Sequence, residues 1–366
     1  MKKLLLFVLL IPGLGCYHKV ARPVVNVPPG LIEAPQGFDT LTNGFVSQQR
    51  HDDDRDQFEE DAVLPQLGPA YNARACADCH DTPISGAGSQ VFEHRIAPDD
   101  KDDPIAAATL VHDRTTDPEA QQKSVFDAIN ALRPSLSLMG DGFVEAVPDA
   151  ELIAIAGQNG GQFIMVPVLE SPGTVHVGRF GVKDQHASLL SFAGDADFNE
   201  KGVENRLVKA TTNSNGIEDQ EPTCGDGGED IDCYARFMRA LKAPSRGPLT
   251  AQTALGEKIF DGIGCVNCHV DTLFTPKYVF HPFGDYLLHD VGTGDGIQQG
   301  DAPANKVRTA PLWGLRARAR FLHDGRAFDL QTAIAAHGNE ASSASSNFKQ
   351  LDPTGKQALL AFLNSL

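Results

Sequence analysis

The sequence predicts a mainly α-helical protein with two helical domains, loop-rich insertions and one small β-hairpin. Two observations predict this fold class. Apolar residues recur with helical spacing in several segments, whereas runs that alternate between apolar and polar residues are scarce. A short motif of two cysteines and a histidine also occurs once in each half of the chain, which indicates two units of similar build.

Four segments carry the helical pattern. Those in the first half are residues 124–134 and 148–158, and the second begins close to Asp149. In the second half an amphipathic helix leads from residue 250 to the second motif, and the last 15 residues place apolar side chains on one face: Leu359, Leu360, Phe362, Leu363 and Leu366. Short apolar runs with Gly and Pro breaks predict the β-hairpin within residues 161–182.

The repeated motif has the form Cys-X-X-Cys-His and occupies residues 76–80 and 265–269. This spacing is typical of covalent haem c, in which both thiols form thioethers and the histidine is the proximal iron ligand. A redox dithiol needs no following histidine, and cysteine pairs that share a zinc ion are separated by roughly 12 to 20 residues, far less than here. The sequence therefore predicts two haem c groups in two cytochrome c-like domains, held by Cys76, Cys79, His80, Cys265, Cys268 and His269.

The N-terminus has the layout of a secretory signal. Two lysines precede an apolar run that is much shorter than the roughly 20 residues of a membrane span, and small residues lead to Cys16. The end of this segment resembles a bacterial lipobox, although Gly13 stands where Leu is usual. We expect an exported, periplasmic protein, an outer-membrane lipoprotein of a Gram-negative bacterium that contacts the membrane only through lipid on Cys16. The alternative is export without lipidation.

Composition then suggests four parts: the signal at 1–16, a proline-rich tether at 17–36, an N-terminal haem c domain at 37–245 and a C-terminal cytochrome c domain at 246–366. The formal net charge of -17 argues against nucleic acid as a partner and favours an electron carrier with a basic face. Cys224 and Cys233 remain as an even pair in one loop, for which an oxidising compartment favours a disulfide over two free thiols.

Several longer segments together resemble the di-haem oxidoreductases, a family also labelled thiol oxidoreductases. Its relatives include bacterial di-haem cytochrome c peroxidase and the di-haem enzyme that matures methylamine dehydrogenase. The segments are "GPAYNARACADCH", "GDGFVEAVPDAEL", "GRFGVKDQHASLLSFAGDA", "LGEKIFDGIGCVNCH", "LLHDVGTGDG" and "VRTAPLWGLRARARFLHDGRAFDLQTAIAAHGNEA". The resemblance runs from about residue 40 to the C-terminus.

The resemblance implies a distal ligand for the second haem. In the peroxidase relatives the "HDG" motif is followed by a helix that ends in this ligand, a Met in some and a Tyr in others, and the matching position here is His337. Ligation by His269 and His337 would give a bis-histidine haem of lower potential than a Met/His haem, suited to relaying electrons. For the first haem no histidine falls in a family motif, which favours an open sixth position over ligation by one of His94, His112 and His176.

A peroxidatic site also needs a group that moves a proton. Glu145 lies in an acid-bearing family segment and is the candidate acid-base residue, the alternative being a solvent-facing glutamate. Gln185 is the candidate for lining the same pocket. The family commonly has a Trp where this chain has Val182, which leaves any aromatic relay at that position in doubt.

The resemblance implies further cofactor contacts. Arg308 and His323 lie in segments that line the haem in relatives and could neutralise propionates, and Trp313 is a candidate neighbour of the second haem or a plain core residue. Thr309 and Pro311 match carbonyl donors of a calcium ion between the haem domains, or they form an ordinary turn.

These inferences favour a di-haem c peroxidase-like oxidoreductase. It would reduce hydrogen peroxide, or another small oxidant, at the N-terminal haem, with electrons from a small cytochrome c or a cupredoxin relayed through the C-terminal haem. Three alternatives remain: an electron-transfer protein with two closed haems, an oxidase or oxygenase of an organic or protein substrate, and a thiol oxidoreductase acting through Cys224 and Cys233.

Overall fold

The computed structural model describes residues 22–63, 66–98, 109–116, 128–209, 217–218 and 224–366. The predicted signal and Cys16 lie outside these residues. Within the described part of the chain, no helix combines the length and the apolar character that crossing a membrane requires.

The described helices comprise one near the N-terminus, a group between residues 141 and 240 and a group between residues 251 and 363. They are α1 (Gln48–Glu59), α2 (Asp141–Glu145), α3 (Asp149–Asn159), α4 (Leu189–Ala196), α5 (Asp230–Ala240), α6 (Ala251–Ile263), α7 (Leu330–Ala335), α8 (Ser342–Gln350) and α9 (Pro353–Leu363). A π-helical turn at Asp197–Lys201 extends α4, and 3₁₀ turns occupy Cys76–Asp78, Cys265–Asn267, Leu315–Ala317 and Asn339–Ala341.

The strands are short. They are β1 (Ile32–Glu33), β2 (Ala70–Tyr71), β3 (Phe92–Pro98), β4 (Thr109–Leu110), β5 (Arg114–Thr115), β6 (Ala128–Pro134), β7 (Met165–Pro167), β8 (Val175–Val177), β9 (Val203–Glu204), β10 (Ile217–Glu218), β11 (Leu273–Phe274), β12 (Tyr278–Phe280), β13 (Leu288–His289) and β14 (Val307–Arg308). Among the described residues they form two- and three-stranded sheets, of which β4-β3-β6 and β1-β12-β11 have three strands.

The fold is therefore mixed α and β rather than mainly α. Most of these strands have two or three residues, which is too short to show an alternating apolar pattern, so they escape detection in the sequence. They pair segments that are distant in the chain, as in the parallel pairing of Ile32 with Tyr278. Two-residue pairings of this kind are set by tertiary contacts, because no local propensity specifies them.

The helix predicted at 124–134 is wrong over its described part. Residues 128–134 form β6, which pairs antiparallel with β3 along its whole length, from Phe92 opposite Pro134 to Pro98 opposite Ala128. The strand places Arg133 in the interior, where its guanidinium donates to Asp295 Oδ2 over 2.6 and 2.9 Å. This buried ion pair forms when residues 128–134 are extended. A pattern of apolar residues does not predict it.

The other element predictions are confirmed. Helix α3 begins at Asp149 with Pro148 as its N-cap. The hairpin is β7 paired antiparallel with β8, Met165 opposite Val177. Helix α6 begins after a capping box in which the Thr250 and Thr253 side chains each accept a bond from the other's backbone N–H.

Helices α6 and α9 cross closely and build the core of the C-terminal region. Phe260 and Phe362 pack edge-on with ring centroids 5.2 Å apart, and Leu359 and Leu363 are buried beside them. The approach is possible because Gly256 has no side chain: a Cβ at this position would overlap the carbonyl oxygen of Ala358.

The main core crosses the predicted domain boundary. Buried residues of α2, α4 and α5 pack in one cluster with Phe280, Tyr286 and Trp313 from the C-terminal half. The boundary segment is also packed, since Ala243 pairs with Gln36. The C-terminal part of the predicted tether is likewise fixed, because Ala34 is buried and β1 joins β12. The domain limits at 37, 245 and 246 stay a prediction.

Gly256→Ala should destabilise the haem-loaded protein by about 1 to 3 kcal/mol, because the new methyl group forces α6 away from α9. The matched control is Gly157→Ala in α3, where a Cβ meets no atom within 4 Å. This control should stabilise by about 0.5 to 1 kcal/mol, since alanine favours the helix. Urea unfolding of both variants gives the two values, and equal effects would contradict the packing argument.

Candidate functional site

The first Cys-X-X-Cys-His motif forms a tight 3₁₀ turn. The N–H groups of Cys79 and His80 both donate to the Cys76 carbonyl oxygen, over 3.2 and 3.1 Å. The turn directs both thiols and the imidazole to one cavity of about 280 Å³. Large side chains from α1, α4 and α5 and from a loop line its apolar wall: Phe58, Leu138, Phe192, Tyr234 and Met238.

The second motif follows α6 directly. Gly264 ends the helix with a positive φ of 98°, a conformation that glycine adopts without strain, and the chain then turns through Cys265–Asn267. The N–H of His269 donates to the Cys265 carbonyl over 3.0 Å. A cavity of about 220 Å³ borders both thiols and the imidazole, with Phe260, Leu312, Phe321 and Leu359 among its apolar walls.

The imidazole of His269 in this second cavity is oriented by the backbone. His269 Nδ1 lies 3.0 Å from the Phe283 carbonyl oxygen and donates to it, which leaves Nε2 as the nitrogen free to bind a ligand. Burial and the nearby charge of His337 lower the pKa of His269 to about 4. A neutral imidazole is the form that binds iron.

His337 lines the same cavity from the end of α7. Its Nδ1 donates to the Ala333 carbonyl oxygen over 2.8 Å, so its Nε2 is also the free nitrogen. His323 borders this cavity as well, and its buried Nε2 has no hydrogen-bond partner among the described residues. The charges that act on His323 are those of Asp324, Asp295, Arg326 and Lys183, whereas the charge of His337 acts on His269. The structure thus brings His337 and His269 together.

The four motif cysteines are not disulfide-bonded and are poor nucleophiles as free thiols. Burial raises the pKa of Cys76 and Cys265 to about 12 and that of Cys79 to about 11, which disfavours the thiolate. Cys224 and Cys233 form a disulfide with their Cα atoms 5.9 Å apart. The raised pKa values of the thiols therefore disfavour redox-dithiol chemistry at the two motif turns.

Both cavities fit a covalently attached haem. Each cavity borders two thiols and an imidazole from one turn and has an apolar wall that can cover a porphyrin face. At the C-terminal site the free nitrogen of the imidazole is also defined. Each motif turn by itself offers one imidazole and two thiols, one ligand fewer than a closed four-coordinate structural zinc site has.

Neither of the predicted catalytic residues lines the N-terminal cavity. The Glu145 carboxylate accepts from the Arg239 guanidinium over 2.6 and 2.8 Å and from the Leu189 N–H over 2.7 Å. Gln185 folds back on its own loop, where its Oε1 accepts from the Lys183 N–H over 3.2 Å. The catalytic assignment of both residues stays a prediction that these contacts do not favour.

A different carboxyl group borders the cavity of the first motif. Glu200, in the π-helical turn after α4, lines it together with Glu93. Burial and the charge of Glu93 raise the pKa of Glu200 to about 7, and Asn72 Nδ2 donates to its Oε2 over 3.2 Å. No periodic pattern in the sequence indicates this residue, because its surroundings include Glu93 of strand β3 and Asn72 of the loop before the first motif.

Of the three histidines considered for the first haem, only His94 lines the N-terminal cavity in the described structure. Its Nε2 lies 2.8 Å from Asn130 Oδ1. The ring of His112 is bonded to the Asn199 carbonyl oxygen over 2.8 Å, and His176 pairs with Asp149 at the surface.

The remaining predicted contacts divide between wall and core. Arg308 and Thr309 line the C-terminal cavity, and Arg308 Nε donates to the Gly181 carbonyl over 2.8 Å. Trp313 is a core residue packed on Phe280, with ring centroids 5.7 Å apart, and borders neither cavity. The Pro311 carbonyl oxygen accepts from the Arg318 guanidinium over 3.2 Å.

Comparison with known proteins agrees with this geometry. Residues 111–366 match the family described as "Di-haem oxidoreductase, putative peroxidase". The chain belongs to the di-haem oxidoreductases. A cytochrome c551 peroxidase of Pseudomonas aeruginosa is 30% identical to this oxidoreductase over 125 residues, which is 32% of the chain and 34% of that peroxidase. The chain thus spans about a third of the length of this relative.

Two solved structures are similar in outline to the oxidoreductase. They are hydrazine synthase of Kuenenia stuttgartiensis, at 16% identity and a TM-score of 0.47 over 94% of this chain and 99% of that one, and a MauG-like protein associated with microbial copper homeostasis, at 14% identity and a TM-score of 0.47 over 93% and 94%.

His289 is a charged group in the wall of the C-terminal cavity. Its Nε2 donates to Asp285 over 2.9 Å and its Nδ1 to Glu340 over 2.8 Å. Burial opposes the charge, but the hydrogen bonds to Asp285 and Cys268 prevail and raise the pKa of His289 to about 11. Because the folded pKa exceeds the ordinary value of 6.5, this group stabilises the fold fully below pH 6.5, and the contribution declines as the pH rises toward 11.

We expect His289→Gln to lose most stability at low pH. The difference in unfolding free energy from the wild type should shrink above pH 6.5, by at most about 1.4 kcal/mol per pH unit. Urea unfolding between pH 6 and pH 9.5 measures it. The control is His281→Gln, because His281 is an exposed histidine 3.4 Å from Glu33. A difference for His289→Gln that is independent of pH would contradict the charged state.

Proposed function

We propose that the protein is an exported, periplasmic di-haem c oxidoreductase that reduces hydrogen peroxide at the haem held by His80, with electrons relayed through the haem held by His269 and His337. A small cytochrome c or a cupredoxin is the proposed electron donor, and a lipid on Cys16 the proposed anchor. The observation that carries the proposal is a pair of side chains in the two cavities. His337, whose Nε2 is free, lines the C-terminal cavity, and Glu200, whose pKa is raised to about 7 by burial and by the charge of Glu93, lines the N-terminal cavity.

When bound, the two haems supply the redox chemistry, and the protein sets ligation, access and proton delivery. At the C-terminal site His337 presents a free Nε2 to the cavity that His269 also lines. Two imidazoles close the iron to substrate and favour a low potential. This supports a relay role for the C-terminal site.

At the N-terminal site Glu200 is placed to move a proton. A carboxyl group with a pKa near 7 holds and releases a proton with nearly equal ease at neutral pH, which is the condition for general acid-base catalysis. Its base form can take a proton from one peroxide oxygen, and its acid form can deliver the proton to the other. Asn72 orients the carboxyl group by donating to Oε2.

A second function is favoured by one observation. His94 lines the N-terminal cavity together with His80, so it could close the first iron as His337 is proposed to close the second. Both sites would then be six-coordinate and the protein would carry electrons without turning over a substrate. In this structure His94 Nε2 is engaged in a hydrogen bond with Asn130 Oδ1 rather than free to face the cavity, which favours the peroxidase.

Substitution of His337 tests the relay site. The oxidised protein should show one high-spin and one low-spin haem by low-temperature EPR, and His337→Ala should remove the low-spin signal because it removes the sixth ligand. The control is His323→Ala, which changes another histidine of the same cavity and should preserve that signal. If His323→Ala removes the signal and His337→Ala does not, the ligand is His323. Two low-spin haems that do not react with peroxide in any redox state would favour the electron carrier.

Glu200→Gln should slow peroxide turnover by about 100-fold or more, because the amide cannot exchange the proton. In the wild type kcat/KM should rise with pH through about 7 as Glu200 becomes the base, and the variant should lack this rise. The control is Glu145→Gln, which breaks the ion pair with Arg239 outside the cavity. A large loss of turnover in Glu145→Gln, with Glu200→Gln near the wild-type rate, would restore the assignment of Glu145.

A further inference from the structure

Arg318 lies where the two haem-binding regions meet. Its side chain borders the C-terminal haem cavity and also a small cavity of about 20 Å³ formed with residues that follow the first motif, among them Thr82, Gly88 and Gln90. A space of this size holds about one water molecule. Arg318 is therefore in contact with both halves of the molecule.

Among the described residues, the guanidinium of Arg318 has no acidic partner. It donates to the Pro311 carbonyl oxygen over 3.2 Å, and no carboxylate of the described residues lies within 4.0 Å of it. Arg308 lies nearby, and burial together with the positive charge of Arg308 lowers the pKa of Arg318 to about 10. Arg308 has Asp184 Oδ1 at 3.7 Å from its Nε, so within the described part of the chain it is Arg318 whose charge lacks a carboxylate partner at this cavity wall. An anion from outside the chain would balance that charge.

The donor set expected for a calcium ion does not fit this arrangement. The Pro311 carbonyl oxygen already accepts a hydrogen bond from a cation, the Arg318 guanidinium, over 3.2 Å. A divalent cation at Pro311 would also be repelled by the guanidinium within hydrogen-bond distance of the same oxygen.

The buried carboxyl group of Asp184, which lies near Arg308, does not provide a replacement ligand for calcium. Asp184 is fully buried, and its Oδ1 is 3.7 Å from Arg308 Nε, with no hydrogen bond to either oxygen. Burial raises its pKa well above the ordinary value, which disfavours its carboxylate form. Calcium binds carboxylates rather than carboxylic acids.

We propose that Arg318 takes the place of the calcium ion as a permanent cation at the junction of the two haem regions. Its positive charge is balanced, together with that of Arg308, by carboxylate groups at the C-terminal cavity, and the carboxylates that fit are the propionates of the haem. This last step rests on the haem binding in the proposed function. The replacement of the metal ion by a side chain does not depend on peroxide turnover.

Metal analysis of the haem-loaded protein, purified without chelator, tests the replacement directly. We expect no stoichiometric calcium, and the same Tm in calcium chloride as in EGTA. One calcium ion per chain, with a lower Tm in EGTA, would overturn the proposal. Because neither readout uses peroxide, an inactive protein that lacks calcium would reject the proposed function and leave the proposal intact.

A charge series tests the role of the side chain. Arg318→Gln should lower the midpoint potential of the C-terminal haem, because a positive charge near the haem stabilises its reduced form. It should also make the Tm rise on addition of calcium chloride, since the Pro311 carbonyl is uncovered. Arg318→Lys keeps the charge and should retain the wild-type potential.

The control for this series is Arg326→Gln, because the Arg326 side chain is 57% exposed. An Arg318→Gln potential no lower than that of Arg326→Gln would overturn the role of the charge. If Arg318→Gln does not fold, folded Arg318→Lys with the wild-type potential supports the proposal, and a lowered potential in Arg318→Lys counts against it.

Discussion

The protein must hold four thiols and two imidazoles out of water at two places in the chain. Each motif turn is only a few residues long, so its surroundings have to supply the apolar walls. At the N-terminal site the walls come from residues as distant as Phe58 and Met238, and at the C-terminal site from Phe260 to Leu363. Burial of this kind raises the pKa of the thiols and lowers that of the proximal imidazoles. The packing of distant segments therefore builds the walls of both cavities.

The same requirement explains why the two halves are packed as one body. An ion-pair network of Arg133, Asp295 and Lys183 joins β6 to the loop at residues 295–306, with all three side chains nearly inaccessible. Lys183 Nζ also donates to the carbonyl oxygens of Pro303, Ala304 and Lys306. Removing one member of such a network leaves an uncompensated buried charge, which is far more costly than breaking a surface pair. Residues of the N-terminal half thus fix the loop at residues 295–306, which connects Thr293 and Val307 in the wall of the C-terminal cavity.

Sequence reasoning succeeded where local chemistry or periodicity carries the information. The two motifs required no tertiary knowledge, because their thiols and histidine are adjacent in the chain. Helices α3, α6 and α9 were found from apolar spacing and caps. It failed at β6, where the deciding interaction is the buried pair of Arg133 with Asp295. It also selected Glu145 from its place in an acid-bearing family segment, whereas in the structure that carboxylate pairs with Arg239.

The sequence by itself determined the type of cofactor site, the number of sites and the helices that precede or cover the C-terminal one, since these depend on residues close together in the chain. Only the tertiary structure decided which distant groups reach each cavity. It placed His337 with His269, and it placed Glu200 rather than Glu145 at the N-terminal cavity. It likewise brought Arg318 to the Pro311 carbonyl. Burial and the distance between charges set the chemistry of these groups, and both quantities arise from packing between segments that the order of residues does not specify locally.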